Sequence, residues 1–357
     1  MSRRINSLIR IGKRSIGAGY PAYIIAEISA NHRQQFDEAV KLVEAAKETG
    51  ADAVKLQTYT PDTLTIRSDR PEFRISGGTL WDGKTLYELY GEACMPWEWQ
   101  PKLKKMADDL EIDLFSTPYD KTAVDFLDEM GVPAYKVASF EIVDLPLIEY
   151  IASKGKPIII STGMATLSEI EEALQATRRA GASQVALLKC NSAYPAPLEG
   201  MNLRTITHLA ETFQVPVGLS DHTLSIVPPV TAVTLGACII EKHFTLSRNI
   251  PGPDSAFSLQ PQEFRSMVEA VRTAEKALGE VRYEITEGEV KSLNFRRSLF
   301  VVKDMKAGEA FTEENVRSIR PGQGLHPRHF KDVLGRRAAK NIKRGTPLSW
   351  NLLKGET

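Results

Sequence analysis

Residues 216–244 read PVGLSDHTLSIVPPVTAVTLGACIIEKHF, and this stretch shows the pattern that decides the predicted fold. It contains two short apolar runs rich in β-forming residues, 216–221 and 238–244. The first run leads into His222, and the second ends around His243. Strands that are apolar almost throughout are typical of a parallel sheet covered by helices on both faces.

The same kind of run occurs six more times toward the N-terminus. The six runs are residues 23–29, 53–58, 113–118, 134–139, 157–162 and 185–190. Amphipathic stretches lie between the runs, among them residues 36–49, 97–110, 167–180 and 201–213. Eight strand–helix units within about 280 residues predict an α/β fold of the (β/α)8 TIM-barrel class. A doubly wound sheet is the alternative, but it usually has a glycine-rich first turn, and residues 27–32 contain no glycine.

The character of the sequence changes near residue 280. We predict a barrel domain at residues 1–280, followed by a charged, turn-prone linker at 281–295 and a small domain at 296–357. The small domain has many Gly and Pro residues and one short helix signal after Thr312. Its predicted strands are residues 298–302 and 316–319.

An internal repeat lies within this C-terminal part. Residues 303–316 are similar to residues 340–353, with two Lys and one Gly identical in register. Such a repeat predicts a compact, mostly β, pseudo-symmetric fold.

The composition excludes several classes of protein. Of the 357 residues, 42% are hydrophobic and 25% charged, which is typical of a folded globular protein. The 45 basic and 45 acidic side chains cancel, so the total charge gives no reason to expect nucleic acid or an anionic membrane as partner. No apolar run reaches the roughly 18 residues of a membrane span, and no signal-type segment follows the basic N-terminus. Three dispersed cysteines form no disulfide pattern, which indicates a reducing, cytoplasmic setting.

The neutral total conceals two parts of opposite charge. Residues 296–357 contain 14 basic and 6 acidic side chains, whereas residues 1–295 contain 31 and 39. We therefore expect the basic part to dock over an acidic barrel, either its own or that of a second copy.

Every predicted strand ends in polar residues that can do chemistry. In chain order these are Glu27; Lys55 and Gln57; Ser116 and Thr117; Lys136 and Ser139; Ser161 and Thr162; Lys189; Asp221 and His222; Glu241 and His243. Polar residues collect at the surface ends of strands in any protein. Here all eight strands show the pattern, and TIM barrels build their active sites at these ends, which favours a functional interpretation.

Two histidines end neighbouring predicted strands, His222 the seventh and His243 the eighth. Because adjacent strands lie about 4.8 Å apart, the two imidazoles could bind one divalent ion. Glu27 ends the first strand, which neighbours the eighth in a closed barrel, and could join them or hold a bound water. Two imidazoles with a carboxylate and a water suit Mn²⁺ or a similar ion better than they suit a structural zinc ion. The alternative is that the two histidines bind no metal and that each ring has its own hydrogen-bond partners.

Three strand-end lysines form a second candidate site: Lys55, Lys136 and Lys189. The hydroxyls near them are those of Ser116, Ser139, Ser161 and Thr162. Ammonium and hydroxyl groups that converge in this way predict a pocket for a ligand carrying both phosphate and carboxylate. The alternatives are solvated surface lysines, or a Schiff-base nucleophile.

Residues 78–85, GTLWDGKT, match the GxxxxGK[ST] pattern of a nucleotide-binding P-loop. That pattern requires a buried strand before it, but residues 70–76 are largely polar. We therefore predict a loop over the barrel mouth and no nucleotide site. Asp254 and Arg320 lie in other loops, where each suits either a ligand contact or a plain turn.

Seven motifs of this chain resemble the sialic acid synthase family, and they span nearly its whole length. They are AEISANH (26–32), KLQ (55–57), YKVAS (135–139), STGM (161–164), GLSDHT (218–223), EKHFT (241–245) and GPD (252–254). Residues 296–357 resemble the antifreeze-like (SAF) domain that these synthases carry. Within the family, residues 77–90 and 139–144 are most similar to the pseudaminic acid synthase branch.

The resemblance implies condensation of phosphoenolpyruvate with an N-acetylated amino-sugar aldehyde, giving a nine-carbon 2-keto acid and phosphate. In this branch the sugar is 2,4-diacetamido-2,4,6-trideoxy-altrose, and the alternatives are N-acetylneuraminate and legionaminic acid synthases. One divalent ion, Mn²⁺ or Mg²⁺, per active site and a domain-swapped homodimer are also implied. Outside the family, the alternatives are a Schiff-base aldolase that uses Lys136 and a non-catalytic sugar- or surface-binding protein.

The resemblance also assigns roles to individual residues. It makes His222 and His243 the metal ligands, and it makes Arg320 the arginine that reaches the sugar of the partner subunit. The implied catalytic residues are Glu27, Lys55, Lys136 and Glu241. The implied substrate-binding residues are Gln57, Thr117, Ser139, Ser161, Asn191, Ser192, Tyr194, Ser220, Asp254 and Arg320.

The chain departs from the family pattern in two regions. Residues 191–195 read NSAYP where sialic acid synthases have TNIYP, so Ser192 replaces an asparagine expected near phosphoenolpyruvate, and Asn191 could take its place. Ser29 and Gln34 replace two glycines near the sugar, which fits a substrate other than the sialic acid precursor.

Overall fold

The computed structural model describes residues 8–355, which form two compact units. The first unit ends at Gly279, and the second begins at Glu280. None of the helices among these residues is both long enough and apolar enough to cross a membrane.

The described part of the first unit, from residue 8 onward, contains ten strands. They are β1 (Ile9–Ile11), β2 (Arg14–Ile16), β3 (Tyr23–Glu27), β4 (Ala53–Thr58), β5 (Asp113–Pro118), β6 (Tyr135–Val137), β7 (Ile158–Ser161), β8 (Val185–Cys190), β9 (Val217–Asp221) and β10 (Ile239–His243). Strands β3 to β10 form a closed parallel barrel in which each strand pairs with the next and β10 pairs with β3. The predicted (β/α)8 barrel is therefore confirmed.

The barrel strands carry polar residues in their C-terminal halves or directly after them, and some strands end earlier than predicted. Strand β3 stops at Glu27 because Ser29 has a left-handed backbone, with φ of 48°, and starts the short 3-10 helix Ser29–His32. In β9, a Cβ on Gly218 would lie 2.3 Å from the Ile239 carbonyl oxygen. This close approach of two strands leaves room only for glycine.

Ten α-helices belong to the described part of this unit. They are α1 (Phe36–Glu48), α2 (Pro61–Leu64), α3 (Leu86–Ala93), α4 (Gln100–Asp109), α5 (Lys121–Glu129), α6 (Leu145–Ala152), α7 (Leu167–Arg179), α8 (Thr205–Phe213), α9 (Val227–Thr234) and α10 (Pro261–Leu278). Helix α7 is typical: Thr166 and Glu169 cap it reciprocally, and Ile170 and Leu174 lie on its buried face.

The hairpin of β1 and β2 adds Ile9, Ile11 and Ile16 to the barrel core. It packs at the N-terminal ends of the strands, since the Arg10 amide donates to Gln184, which directly precedes β8. The opposite, C-terminal ends of the strands therefore remain available for a site.

The second unit contains β11 (Ser298–Val301), antiparallel to β12 (Val316–Ile319), and α11 (Phe330–Val333). The predicted repeat is visible in its hydrogen bonds. Met305 and Ile342, which are equivalent in the repeat, exchange backbone hydrogen bonds of 2.8 and 2.9 Å. Gly308 N donates to Ala338 O, and the equivalent Gly345 N donates to Val301 O, both at 2.8 Å. Because the hydrogen bonds join equivalent residues in both directions, a local twofold axis relates the two halves of the repeat.

One expectation for this unit needs correction. The helix predicted after Thr312 is a turn, because the Asn315 side chain accepts from Thr312 N at 2.7 Å and donates to Ala310 O at 2.9 Å. The predicted linker groups with the second unit, and its last part is the 3-10 helix Glu287–Phe295, whose Asn294 carbonyl accepts from Gly322 N.

Candidate active site

A cavity of about 770 Å³ opens at the C-terminal ends of the barrel strands. Thirteen residues predicted from the sequence line it: Glu27, Lys55, Gln57, Lys136, Ser139, Ser161, Ser192, Tyr194, Ser220, His222, Glu241, His243 and Asp254. The closed barrel brings them together because each of the eight strands ends at this rim.

Two carboxylates and a lysine form the floor of the cavity. Strand register places Glu27 beside Lys55, whose Nζ lies 2.6 Å from Glu27 Oε2 and 3.8 Å from Glu241 Oε1. Ser220 Oγ donates to Glu241 Oε1 at 3.1 Å. All of these side chains are buried.

The two carboxylates differ in how they hold a proton. Burial raises the pKa of Glu27 to about 7, although Lys55 opposes the shift. Burial also acts to raise the pKa of Glu241, but Lys136 and Lys55 outweigh it and leave that pKa below its usual value. Glu27 is therefore the carboxyl suited to exchange a proton near neutral pH.

The second lysine faces a group of hydroxyls. Lys136 is 1% exposed, its Nζ donates to Ser161 Oγ at 2.6 Å, and burial lowers its pKa. Beside it, Gly163 N donates to Ser139 Oγ at 3.2 Å. A Cβ on Gly163 would lie 2.2 Å from Ser192 Oγ, so glycine keeps this polar corner open. Ammonium, hydroxyl and backbone N–H groups together suit an anionic ligand.

The two histidines lie side by side, with ring centroids 5.3 Å apart. His222 Nδ1 donates to the Asn191 carbonyl at 2.8 Å, which orients the ring. Burial acts to lower the pKa of His222, but Cys190 outweighs it and leaves that pKa above its usual value. His243 Nδ1 is buried without a hydrogen-bond partner among the described residues. Burial lowers the pKa of His243 well below its usual value, so this imidazole is neutral and can act as a ligand.

A third network connects the loops after β3 and β10. Ser29 Oγ donates to the Asp254 carboxylate, which also accepts from Ala30 N at 3.3 Å. Gln57 Nε2 donates to Glu27 Oε1 at 3.1 Å and to Ser29 Oγ at 2.8 Å. Ser29 thus links Asp254 to the carboxylate floor.

Some predicted residues lie outside the cavity lining. Thr117 sits behind Lys55 and accepts from its Nζ at 3.2 Å. Asn191 contacts His222 through its carbonyl, while its side chain binds Ala193 N. Lys189 turns its Nζ to the Cys190 carbonyl, so two of the three predicted lysines converge. Arg320 belongs to the second unit, where it is exposed and precedes a cis bond to Pro321.

Sequence reasoning did not name Glu141 and Cys190, which also line the cavity, as site residues. Burial raises the pKa of Glu141 to about 7, and its Oε2 has no hydrogen-bond partner in the part of the chain described. Burial acts to raise the pKa of Cys190, but His222 outweighs it and lowers that pKa to about 7. Both could have been found as polar residues at or just past the ends of β6 and β8.

The segment with the P-loop pattern forms a hairpin over the cavity. Arg74 and Thr85 are bridged at its base, and Asp82 accepts from Gly78 N at its tip. Trp81 Nε1 donates to Pro253 O at 3.0 Å, and its ring packs 5.9 Å from that of Tyr194. As predicted, this is a loop at the barrel mouth.

Comparison with known proteins gives the family. The NeuB family matches residues 42–283, which is more than half of the chain. The chain belongs to the NeuB family. The SAF domain matches residues 296–354, so both the resemblance stated above and the nature of the C-terminal domain are confirmed.

Relatives of this NeuB-family chain match it along most of its length. The pseudaminic acid synthase of Helicobacter pylori is 48% identical over 92% of this chain and 97% of its own length. The N,N'-diacetyllegionaminic acid synthase of Legionella pneumophila is 37% identical over 98% of each chain. Among solved structures, the spore coat polysaccharide biosynthesis protein SpsE of Bacillus subtilis has a TM-score of 0.65 and 34% identity, over 98% of this chain and 100% of that chain.

Proposed function

We propose that this NeuB-family protein is a pseudaminic acid synthase, a transferase that condenses phosphoenolpyruvate with 2,4-diacetamido-2,4,6-trideoxy-altrose. The buried ammonium groups of Lys55 and Lys136, in one cavity with two imidazoles, carry the proposal. The identity of 48% to a pseudaminic acid synthase, against 37% to a legionaminic acid synthase, supports the choice of sugar.

The reaction joins C3 of phosphoenolpyruvate to the aldehyde carbon of the open-chain sugar. The aldehyde oxygen gains a proton, and water adds at C2 and loses one proton. The bond from C2 to the phosphate oxygen then breaks, while the new C2 hydroxyl loses its remaining proton to the departing phosphate and becomes the keto oxygen. Lys136 and the hydroxyls of Ser139 and Ser161 bind the anionic groups and stabilise the charge that moves onto phosphate. Glu27, with its pKa raised to about 7, takes the proton from the water at its carboxylate.

His222 and His243 would hold one divalent ion, Mn²⁺ or Mg²⁺. The fixed orientation of His222 and the unpartnered Nδ1 of His243, counted over residues 8–355, support this assignment. Within the same residues no group of three or more His, Cys, Asp and Glu side chains is placed to hold a metal, so open positions would remain for water or substrate. When bound, the ion supplies Lewis-acid polarisation of a carbonyl oxygen.

We also assign a homodimer, in which Arg320 reaches the sugar of the partner subunit, and a cytoplasmic setting. Exposed apolar side chains in the loops and first helical residues that follow the barrel strands support an interface there; they are Phe140, Val143, Met164, Leu167, Leu198, Leu224 and Val227. The cysteines support the setting, because Cys94, Cys190 and Cys238 are all unpaired within the described chain.

Phosphate release with three sugars tests the proposed function. With phosphoenolpyruvate and Mn²⁺, we expect the highest kcat/KM for the diacetamido-trideoxy-altrose, compared with its mannose-type isomer and with N-acetylmannosamine. A preference for N-acetylmannosamine would contradict the sugar assignment and leave the reaction type intact. No phosphate release with any of the three would contradict the reaction type itself.

A Schiff-base aldolase is the second candidate, because burial lowers the pKa of Lys136 as such a nucleophile requires. Borohydride separates the two functions. With pyruvate and borohydride, we expect the intact mass of the protein to stay unchanged, since Lys136 Nζ is held by Ser161 and the Val137 carbonyl. A stable adduct on Lys136, absent from the Lys136→Met variant, would favour the aldolase.

A further inference from the structure

One part of the cavity lining comes from a single insertion, residues 59–93, between β4 and α4. The insertion lies entirely within the described residues and contains ten charged residues. None of the ten lines the cavity. Aliphatic side chains line it instead, namely those of Leu64, Ile75, Leu86 and Leu89. We call these four residues the aliphatic wall.

Two elements hold the aliphatic wall in place. Ile75 belongs to the hairpin under Trp81, where its backbone exchanges hydrogen bonds with Lys84 and Gly83 at 2.9 and 3.0 Å. Leu86 and Leu89 lie on α3, whose first turn is capped reciprocally by Thr85 and Glu88. The wall is therefore preformed in the structure rather than carried on an irregular loop.

Three tyrosines lie beside the aliphatic wall. The Tyr59 ring packs edge-on against those of Tyr90, at 5.9 Å, and Tyr119, at 5.2 Å. Burial raises the pKa values of Tyr59 and Tyr119 well above the usual value, so their hydroxyls stay protonated and can donate hydrogen bonds. A hydroxyl donor next to aliphatic carbon matches the carbonyl and methyl of an acetamido group.

We infer that the aliphatic wall and the adjacent tyrosines form the subsite that selects the sugar, by accepting the methyl and acetamido groups at the end remote from the aldehyde. This inference rests on the proposed function. It deepens that function by naming the residues that distinguish a 6-deoxy, diacetamido sugar from a polyhydroxylated one.

The chemistry of the cavity lining indicates that the end of the sugar remote from the aldehyde binds at the aliphatic wall. The reacting aldehyde has to lie among Lys55, His222 and His243, so another part of the lining has to bind the rest of the sugar. Hydroxyl groups of N-acetylmannosamine would face aliphatic carbon at the wall and lose their hydrogen bonds with water. The C6 methyl of the trideoxy sugar gains burial at the same place.

Polar replacements in the wall test this subsite. Leu86→Gln and Ile75→Thr each place a hydrogen-bonding group among the aliphatic side chains, and Leu86→Met is the matched apolar control. For each variant, kcat/KM is measured with the diacetamido-trideoxy-altrose and with N-acetylmannosamine, together with the KM for phosphoenolpyruvate and the melting temperature.

We expect Leu86→Gln and Ile75→Thr to lower the ratio of the two kcat/KM values about tenfold. The KM for phosphoenolpyruvate should not change, because the wall does not include the lysines, and Leu86→Met should keep the wild-type ratio. A loss of folding would lower both kcat/KM values equally and would show in the melting temperature.

The experiment distinguishes a wrong assignment of the subsite from a wrong proposed function. A wild-type enzyme that prefers the trideoxy sugar, with an unchanged ratio in both folded polar variants, overturns the subsite alone. A wild-type enzyme that prefers N-acetylmannosamine overturns the sugar assignment and the subsite together.

Discussion

The Lys136→Met variant is expected to lose about 10³-fold in kcat/KM for phosphate release, which corresponds to about 4 kcal/mol of transition-state stabilisation. The ammonium group is 1% exposed and lies 2.6 Å from Ser161 Oγ. Because the ammonium group is buried, its charge is screened less than a surface charge and acts more strongly on an anionic ligand. Steady-state phosphate release at several phosphoenolpyruvate concentrations measures the effect.

The fold should survive this substitution. Methionine has nearly the volume of lysine, and it removes the desolvation cost that lowers the pKa of Lys136. We expect the melting temperature to stay close to that of the wild type. Lys105→Met, on the exposed face of α4, is the matched control and should keep full activity. A Lys136→Met enzyme with activity within tenfold of wild type would exclude a charge-based role for this residue.

Removing one imidazole is the second change with a large expected effect. His222→Ala and His243→Ala should each lower turnover about 10³-fold or more, because a Lewis acid contributes several kcal/mol to such a transition state. Each variant should also lose Mn²⁺ binding, measured by equilibrium dialysis without substrate. Far-UV circular dichroism should be unchanged, because neither ring belongs to the apolar core.

The histidine variants need their own control. His208 is exposed on α8, and His208→Ala should bind Mn²⁺ and turn over as the wild type does. Chelator treatment of the wild-type protein should abolish phosphate release, and added Mn²⁺ should restore it. Full turnover by a protein shown to contain no metal would contradict the role proposed for His222 and His243.

The barrel could be predicted from the sequence because its signal is repeated. Eight apolar runs give the same answer, so errors at single ends, such as residues 28 and 29 after β3, do not change the fold. The closing pair of β10 and β3 follows from the fold class, which is why the sequence alone predicts that Glu27 lies beside His243.

The candidate site was less predictable where side-chain direction matters. The sequence predicts both Lys55 and Lys189 at strand ends, yet Lys55 lines the cavity and Lys189 turns to the Cys190 carbonyl. A strand places alternate residues on opposite faces, so a shift of one position decides which lysine points inward. Glu141 was missed because its burial depends on the neighbouring loops, which no local pattern reports.

The pairing of β10 with β3 has a consequence for how this enzyme comes into being. Glu27 and His243 are neighbours across the seam, although the chain makes one near its beginning and the other more than 200 residues later. Contacts so distant along the chain form late, after the entropy of closing a long loop has been overcome. Until then β3 has a free edge that can pair with other chains. Catalytic competence and protection from aggregation therefore arise in one event, when the last strand joins the first.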